Sequence, residues 1–116
     1  MNMNEFFSTF EPATRGEWDA FRAWKQTVDN KADRFEVDEL PWGAGLRNGE
    51  MTDMLQTLRR AGVTRIAVTD RSTALMECLH ALCGMGCTII GPCNVQRDPG
   101  HWGDKERFGL EIQIAE

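Results

Sequence analysis

The sequence lacks three features that would each assign it to a familiar class of protein. It has no excess of basic residues: 13 Lys and Arg stand against 18 Asp and Glu, and the net charge of −5 argues against binding nucleic acid by direct basic contacts. No apolar run approaches the roughly 18–20 residues of a transmembrane helix, so we expect no membrane partner. The first residues lack the basic and continuous apolar regions of a secretion signal, so we expect a cytoplasmic protein.

The composition that remains fits one small globular domain. Of its 116 residues, 41% are hydrophobic and 27% are charged. We expect an N-terminal arm over residues 1–13 and a single domain over residues 14–116. Residues 1–58 carry eleven acids and six bases, whereas residues 59–116 carry seven of each, so the negative excess lies in the first half. This excess, densest over residues 29–39, predicts either a solvated acidic face or a patch that binds a basic partner.

The apolar pattern of the first half predicts a helix, a strand and a second helix. The capping box formed by Thr14 and Glu17 begins a helix that runs to about Asn30 and buries two tryptophans, Trp18 and Trp24. Residues 34–38 alternate in polarity and predict a short strand with one wet face. A loop over 41–49 then leads to a helix that is capped by Asn48 and ends before Gly62.

Residues 63–90 show the clearest pattern, a strand, a helix and a strand. This order predicts a right-handed βαβ unit with parallel strands, the second of which stops at Gly91 and Pro92. Residues 93–107 are predicted to form a surface loop, and the alternation over 108–114 predicts an antiparallel C-terminal strand. The expected fold class is therefore α/β, with α+β as the alternative, in the order α-β-α-β-α-β-β with one mixed sheet. If the last strand lies at a sheet edge, it offers a homodimer interface.

Four cysteines occur within 16 residues, but their spacing does not favour a metal site. Zinc thiolates usually come from turns on which about two to four residues separate the cysteines. Here two of the cysteines lie in regular elements, one in the middle of a helix and one inside a strand. We therefore expect free structural cysteines, and we expect neither a metal nor any other cofactor. The four are Cys78, Cys83, Cys87 and Cys93.

A first candidate site lies where the strand of residues 63–69 passes into the next helix. Ligands bind at this edge of open α/β sheets. Arg71, Ser72 and the free N–H groups of the helix can hold an anion there, with His101 nearby. The alternative is that Asp70 or Ser72 only caps the helix.

A second candidate site combines the acidic segment with tryptophans of the loops. Exposed aromatic residues on loops are typical of binding surfaces, although they can equally close the ends of a small core. His101 has no partner in a nucleophile motif, so the sequence predicts no catalytic residues. The candidates for partner binding are Asp29, Asp33, Glu36, Asp38, Trp42 and Trp102.

The run Gly62-Val63-Thr64-Arg65-Ile66-Ala67-Val68-Thr69 and its continuation to Gly91 resemble the core of a group of small uncharacterised α/β proteins of the DUF type. This group is associated with gut Firmicutes and often with mobile genetic elements. The resemblance covers about a quarter of the chain. It implies an accessory or counter-defence role and supplies no catalytic residues.

Without a catalytic constellation, the sequence favours a non-catalytic cytoplasmic module that binds another macromolecule, which we expect to be a protein. One alternative is a binder of small ligands or anions, or a minor enzyme, at the Asp70–Ser72 turn. A further alternative is an acidic inhibitor whose carboxylates imitate the phosphates of nucleic acid.

Overall fold

The structure, a computed structural model, describes residues 2–97 and 106–115. Its four strands form one sheet in the order β1-β2-β4-β3, in which β1 and β2 are parallel and the other neighbours are antiparallel. This confirms the α/β class with a mixed sheet. In the described part of the chain, no helix is long and apolar enough to cross a membrane. The elements are α1 (Met3–Ser8), α2 (Arg15–Asp29), β1 (Glu36–Val37), α3 (Ala44–Arg47), α4 (Glu50–Arg60), β2 (Arg65–Val68), α5 (Leu75–Gly84), β3 (Thr88–Gln96) and β4 (Glu106–Gln113).

The last strand lies inside the sheet and not at its edge. As predicted, α5 connects two strands of the same direction, but β4 is inserted between them. Residues 110–113 of β4 pair with β2 on one side and with β3 on the other. These residues therefore offer no free edge, and the condition for a homodimer through the C-terminal strand is not met there. The central position lets β4 contribute the fully buried Ile112 to the core.

The hairpin of β3 and β4 is longer than predicted. The strand does not stop at Gly91 and Pro92 but continues to Gln96, so the predicted loop over 93–107 is wrong at both of its ends. The register shifts between Ile89 and Gly91, which marks a bulge. Proline is tolerated here because β3 is an edge strand, on which every second N–H group points away from the sheet.

The two edges of the sheet meet at the far end of this hairpin. Ala32, which precedes β1, forms an antiparallel bridge with Arg97, and the N–H of Asp33 donates to the carbonyl of Gln96 at 3.0 Å. This closure buries Glu36 against Arg97, while Val37 is buried in the core. The prediction of a strand with one solvated face is therefore wrong at Glu36, whereas Arg34 is exposed.

The capping box of α2 is confirmed, but the buried face of this helix is not the predicted one. The hydroxyl of Thr14 accepts from the N–H of Glu17, whose carboxylate accepts from the N–H of Thr14. Trp18 is 53% exposed and Trp24 is half-buried. The close approach of α4 explains this, because a Cβ on Gly16 would lie 2.4 Å from the carbonyl oxygen of Glu50. The buried face therefore consists of small residues and one acid: Gly16, Asp19, Ala20, Ala23 and Thr27.

The aromatic side of α2 is covered by the N-terminal segment. Phe7 of α1 is fully buried and stacks on Trp24 with ring centroids 5.4 Å apart. The guanidinium of Arg60 lies 5.5 Å from the ring of Phe6 and 5.8 Å from that of Phe10. The boundary between arm and domain at residue 13 stays a prediction.

Three predicted helix ends can be compared with the structure, and one of them is confirmed. Gly62 follows α4 with a φ of 85°, which confirms the expected left-handed position. The N-cap of α4 is Gly49 and not Asn48. The N-cap of α5 is Ala74, so neither Asp70 nor Ser72 caps this helix.

Candidate functional site

A groove of about 790 Å³ lies at the edge where β1 and β2 end side by side. Val37 pairs with Val68 in the parallel register, so the segments that follow the two strands emerge at the same edge. This groove joins the predicted anion-binding turn to part of the predicted partner surface. Its lining comes from α2 (Arg22, Lys25, Gln26, Asp29 and Asn30), from the segment after β1 (Asp38, Glu39 and Trp42) and from the segment after β2 (Asp70, Arg71 and Ser72).

The carboxylate of Asp38 ties three elements together at this groove. It accepts hydrogen bonds from the hydroxyl of Thr69, from the amide of Gln26 at 2.6 Å and from the guanidinium of Arg107 at 2.7 Å. Its negative charge is therefore neutralised within the fold by β4. No sequence pattern marks Arg107, because this residue lies in a predicted loop and only the register of the hairpin brings it to Asp38.

Asp70 shapes the turn after β2. Its Oδ1 accepts from the N–H of Ser72 at 2.7 Å, and its Oδ2 accepts from the N–H of Leu40 at 3.1 Å. Asp70 is buried, whereas Arg71 and Ser72 are exposed. The carboxylate of Asp70 thus links the segment after β1 to the segment after β2. The side chains of Arg71 and Ser72 line the groove.

Trp42 stands exposed on a loop that is anchored on both sides. The carbonyl of Pro41 accepts from the thiol of Cys78 at 3.2 Å, and the N–H of Gly43 donates to the carboxylate of Glu77 at 3.3 Å. Both anchors belong to α5, yet the indole between them is 58% exposed. A second groove of about 280 Å³ also has Trp42 in its lining. The indole is therefore available to a ligand in either groove.

Of the four acidic candidates for partner binding, Asp29 and Asp33 are exposed, Asp38 is half-buried and Glu36 is buried. Glu36 is fully buried and accepts two bonds from Arg97, at 2.8 and 3.1 Å. Asp33 accepts from the N–H of Gln96 at 2.9 Å. Together with Asp38, these acids are engaged by the β3–β4 hairpin. Of the four acidic candidates, only Asp29 is both exposed and part of the groove.

Two cations of the groove have no partner among the described residues. Arg22 lies 3.0 Å from the carboxylate of Asp19. The side chains of Lys25 and Arg71, by contrast, form neither an ion pair nor a hydrogen bond with any residue that the structure describes. These two side chains come from different elements, one from α2 and one from the turn after β2.

All four cysteines are free thiols, and two of them have a raised pKa. Burial raises the pKa of Cys78 to about 11, and burial also raises the pKa of Cys93. Neither thiol therefore has the lowered pKa of a catalytic nucleophile. Within residues 2–97 and 106–115, no three metal-binding side chains form a cluster. The candidates His101 and Trp102 lie outside the described residues.

Comparison with known families gives one match. The sequence model of a family described as Domain of unknown function (DUF7698) matches residues 19–111, a range that contains the whole lining of the larger groove. No curated protein matches the chain, and no solved structure does.

Proposed function

The chain belongs to the DUF7698 family of domains of unknown function, and we propose that it is a non-catalytic module that binds another protein through the surface around Trp42. The observation that carries this proposal is the exposure of an indole on a loop anchored on both sides. Tryptophan is enriched among the residues that dominate the energy of protein interfaces. A backbone that is already fixed also loses little conformational entropy when a partner binds.

The two grooves beside Trp42 support binding of a partner segment. A partner that covers the indole can place neighbouring side chains in the larger and the smaller groove. The larger groove is lined by charges of both signs, which suits an interface in which polar contacts fix orientation and the aromatic residue supplies burial.

The lining of the groove favours binding over covalent catalysis. Ser72 is the one hydroxyl in the described lining, and neither histidine nor cysteine accompanies it there. A serine nucleophile needs a neighbouring base to be activated. The nucleic-acid mimic is not proposed, because Glu36 and Asp38 are neutralised by arginines inside the fold.

The cellular setting is part of the proposal. A cytoplasmic accessory role in gut Firmicutes, in association with mobile genetic elements, is supported by the resemblance of residues 62–91 alone.

A small anionic ligand is the second candidate for the same groove. Its volume of about 790 Å³ falls within the range of small-molecule sites, and the guanidinium of Arg71 has no partner among the described residues. A thermal-shift screen with phosphate, sulfate and nucleotides tests this candidate. We expect a compound that raises the melting temperature of the wild type to leave that of Arg71→Gln unchanged. If no compound in the screen raises the melting temperature of the wild type, the anion-binding candidate is contradicted.

The proposed function is tested by capture of proteins from a bacterial lysate on the immobilised full chain. We expect Trp42→Ala to lose a specific set of captured proteins. Trp18→Ala is the matched control, because Trp18 is similarly exposed but lines neither of the two grooves. Circular dichroism melts establish that both variants are folded. Capture by Trp42→Ala that equals wild type contradicts the proposal.

A further inference from the structure

We infer that the partner segment bound beside Trp42 is an acidic peptide, whose carboxylate is held by Lys25 and Arg71. This inference rests on the proposed function of the same surface. It reverses what the net charge of −5 suggests, because the charge of the whole chain is not the charge that the groove presents.

The first step is that both acids at the base of the groove form hydrogen bonds within the fold, and that Asp38 is also paired with a cation. Asp38 accepts from Thr69, Gln26 and Arg107, and Asp70 accepts from two backbone N–H groups. Asp38, paired with Arg107 and bonded by two further donors, has little capacity left for a basic side chain of a partner, whereas Asp70 is buried and keeps part of its acceptor capacity.

The second step is that the unpaired cations face the same space. Lys25 on α2 and Arg71 after β2 both line the groove, and no described carboxylate pairs with either. Two cations that share a cleft repel each other, and an anion placed between them removes this repulsion. Arg71 can in addition bind a carboxylate with two parallel hydrogen bonds.

The third step concerns the two acids that remain, Asp29 and Glu39. The carboxylate of Glu39 faces Arg22 at 3.9 Å. Asp29 is the last residue of α2, a position where a negative charge is unfavourable for the helix dipole. Asp29 would repel an acidic partner and attract a basic one, so its neutralisation distinguishes the two by the sign of the change.

The fourth step is the contribution of Trp42. Its exposed indole offers apolar contact area within the same groove. A segment that fills the groove therefore carries an apolar side chain close to its carboxylate.

The first experiment selects peptides from two random libraries on the immobilised full chain. One library presents peptides with a free C-terminal carboxylate, and the other presents them fused at their C-terminal end. Peptides that also bind Trp42→Ala are discarded. We expect the remaining sequences to combine an acidic group with an apolar neighbour. Enrichment in the free-ended library alone assigns the carboxylate to the chain terminus, and enrichment in both assigns it to Asp or Glu side chains.

The second experiment measures the affinity of an enriched peptide by fluorescence anisotropy. We expect Lys25→Gln and Arg71→Gln each to weaken binding by about tenfold, because each removes a charge-assisted contact. Arg47→Gln is the matched control, since Arg47 is an exposed cation outside the larger groove, and we expect no change. We expect Asp29→Asn to tighten binding.

Three results would overturn the inference. These are enrichment of basic or uncharged peptides, affinities that do not respond to Lys25→Gln and Arg71→Gln, and the absence of any peptide that depends on Trp42. In each case the capture experiment with Trp42→Ala decides the proposed function separately.

Discussion

The guanidinium of Arg97 donates two hydrogen bonds to the carboxylate of Glu36, at 2.8 and 3.1 Å, with 7% of the first side chain and none of the second exposed to solvent. This pair connects the end of β3 to β1, the two edge strands of the sheet. The bridge between Ala32 and Arg97 lies at the same place. The pair therefore stabilises the closure that covers β1 and positions the segment leading to the groove.

Glu36→Gln should lower the free energy of unfolding by about 3 kcal/mol, because it leaves the charge of Arg97 buried beside a neutral group. Urea denaturation at neutral pH measures this change. The control is Arg65→Gln, which breaks the more exposed ion pair with Glu111 at 3.4 Å and should cost less than about 1 kcal/mol. If the two variants lose equal amounts of unfolding free energy, the buried pair of Glu36 and Arg97 contributes no more than the exposed pair of Arg65 and Glu111.

Gly16→Ala should lower the free energy of unfolding by about 2 kcal/mol, because overpacking forces two helices apart. The added Cβ would lie 2.4 Å from the carbonyl oxygen of Glu50 and 2.5 Å from the Cβ of Asp53. Gly84→Ala is the matched control, since a Cβ there meets no heavy atom within 4 Å. That variant should be neutral or stabilising by about 0.5 kcal/mol. Urea midpoints that change equally in both variants contradict the close approach of α2 and α4.

The sequence predicts those features whose signal is local. The capping box of Thr14 and Glu17 needs only neighbours within one helical turn, and the glycine at position 62 needs only its own φ. The burial of α2 is not local. Trp18 belongs to the most hydrophobic stripe of this helix, but α4 packs against the side that carries Gly16. No residue pattern within α2 predicts which side α4 contacts.

The candidate site was predictable in parts and not as a whole. Trp42 and the Asp70–Ser72 turn were predicted from separate segments, and the parallel pairing of β1 with β2 is what brings them together. The neutralisation of Asp38 depends on Arg107, which lies 69 positions further along the chain. Long-range pairing of this kind follows from sheet order, and the sequence did not determine the position of the last strand in the sheet.

The stability that Cys78 contributes should depend on pH in the alkaline range. Burial raises the pKa of this thiol from 9.0 to about 11, so the folded state favours the protonated form. Below pH 9 the contribution is fully present, and it is lost as the pH rises through 11 because the unfolded chain releases the proton first. Urea denaturation of wild type and Cys78→Ala should show a difference that shrinks over this range. A constant difference contradicts the prediction.

We propose that the partner binds at the surface around Trp42. Amide hydrogen exchange of the chain, alone and with a captured partner, tests this claim directly. We predict that the partner slows exchange in residues 38–43 and 69–73, which carry Trp42 and Arg71. Another exposed apolar surface is the β3–β4 hairpin, where Phe108 is 73% exposed. Slower exchange confined to that hairpin, with residues 38–43 unchanged, would contradict the claim.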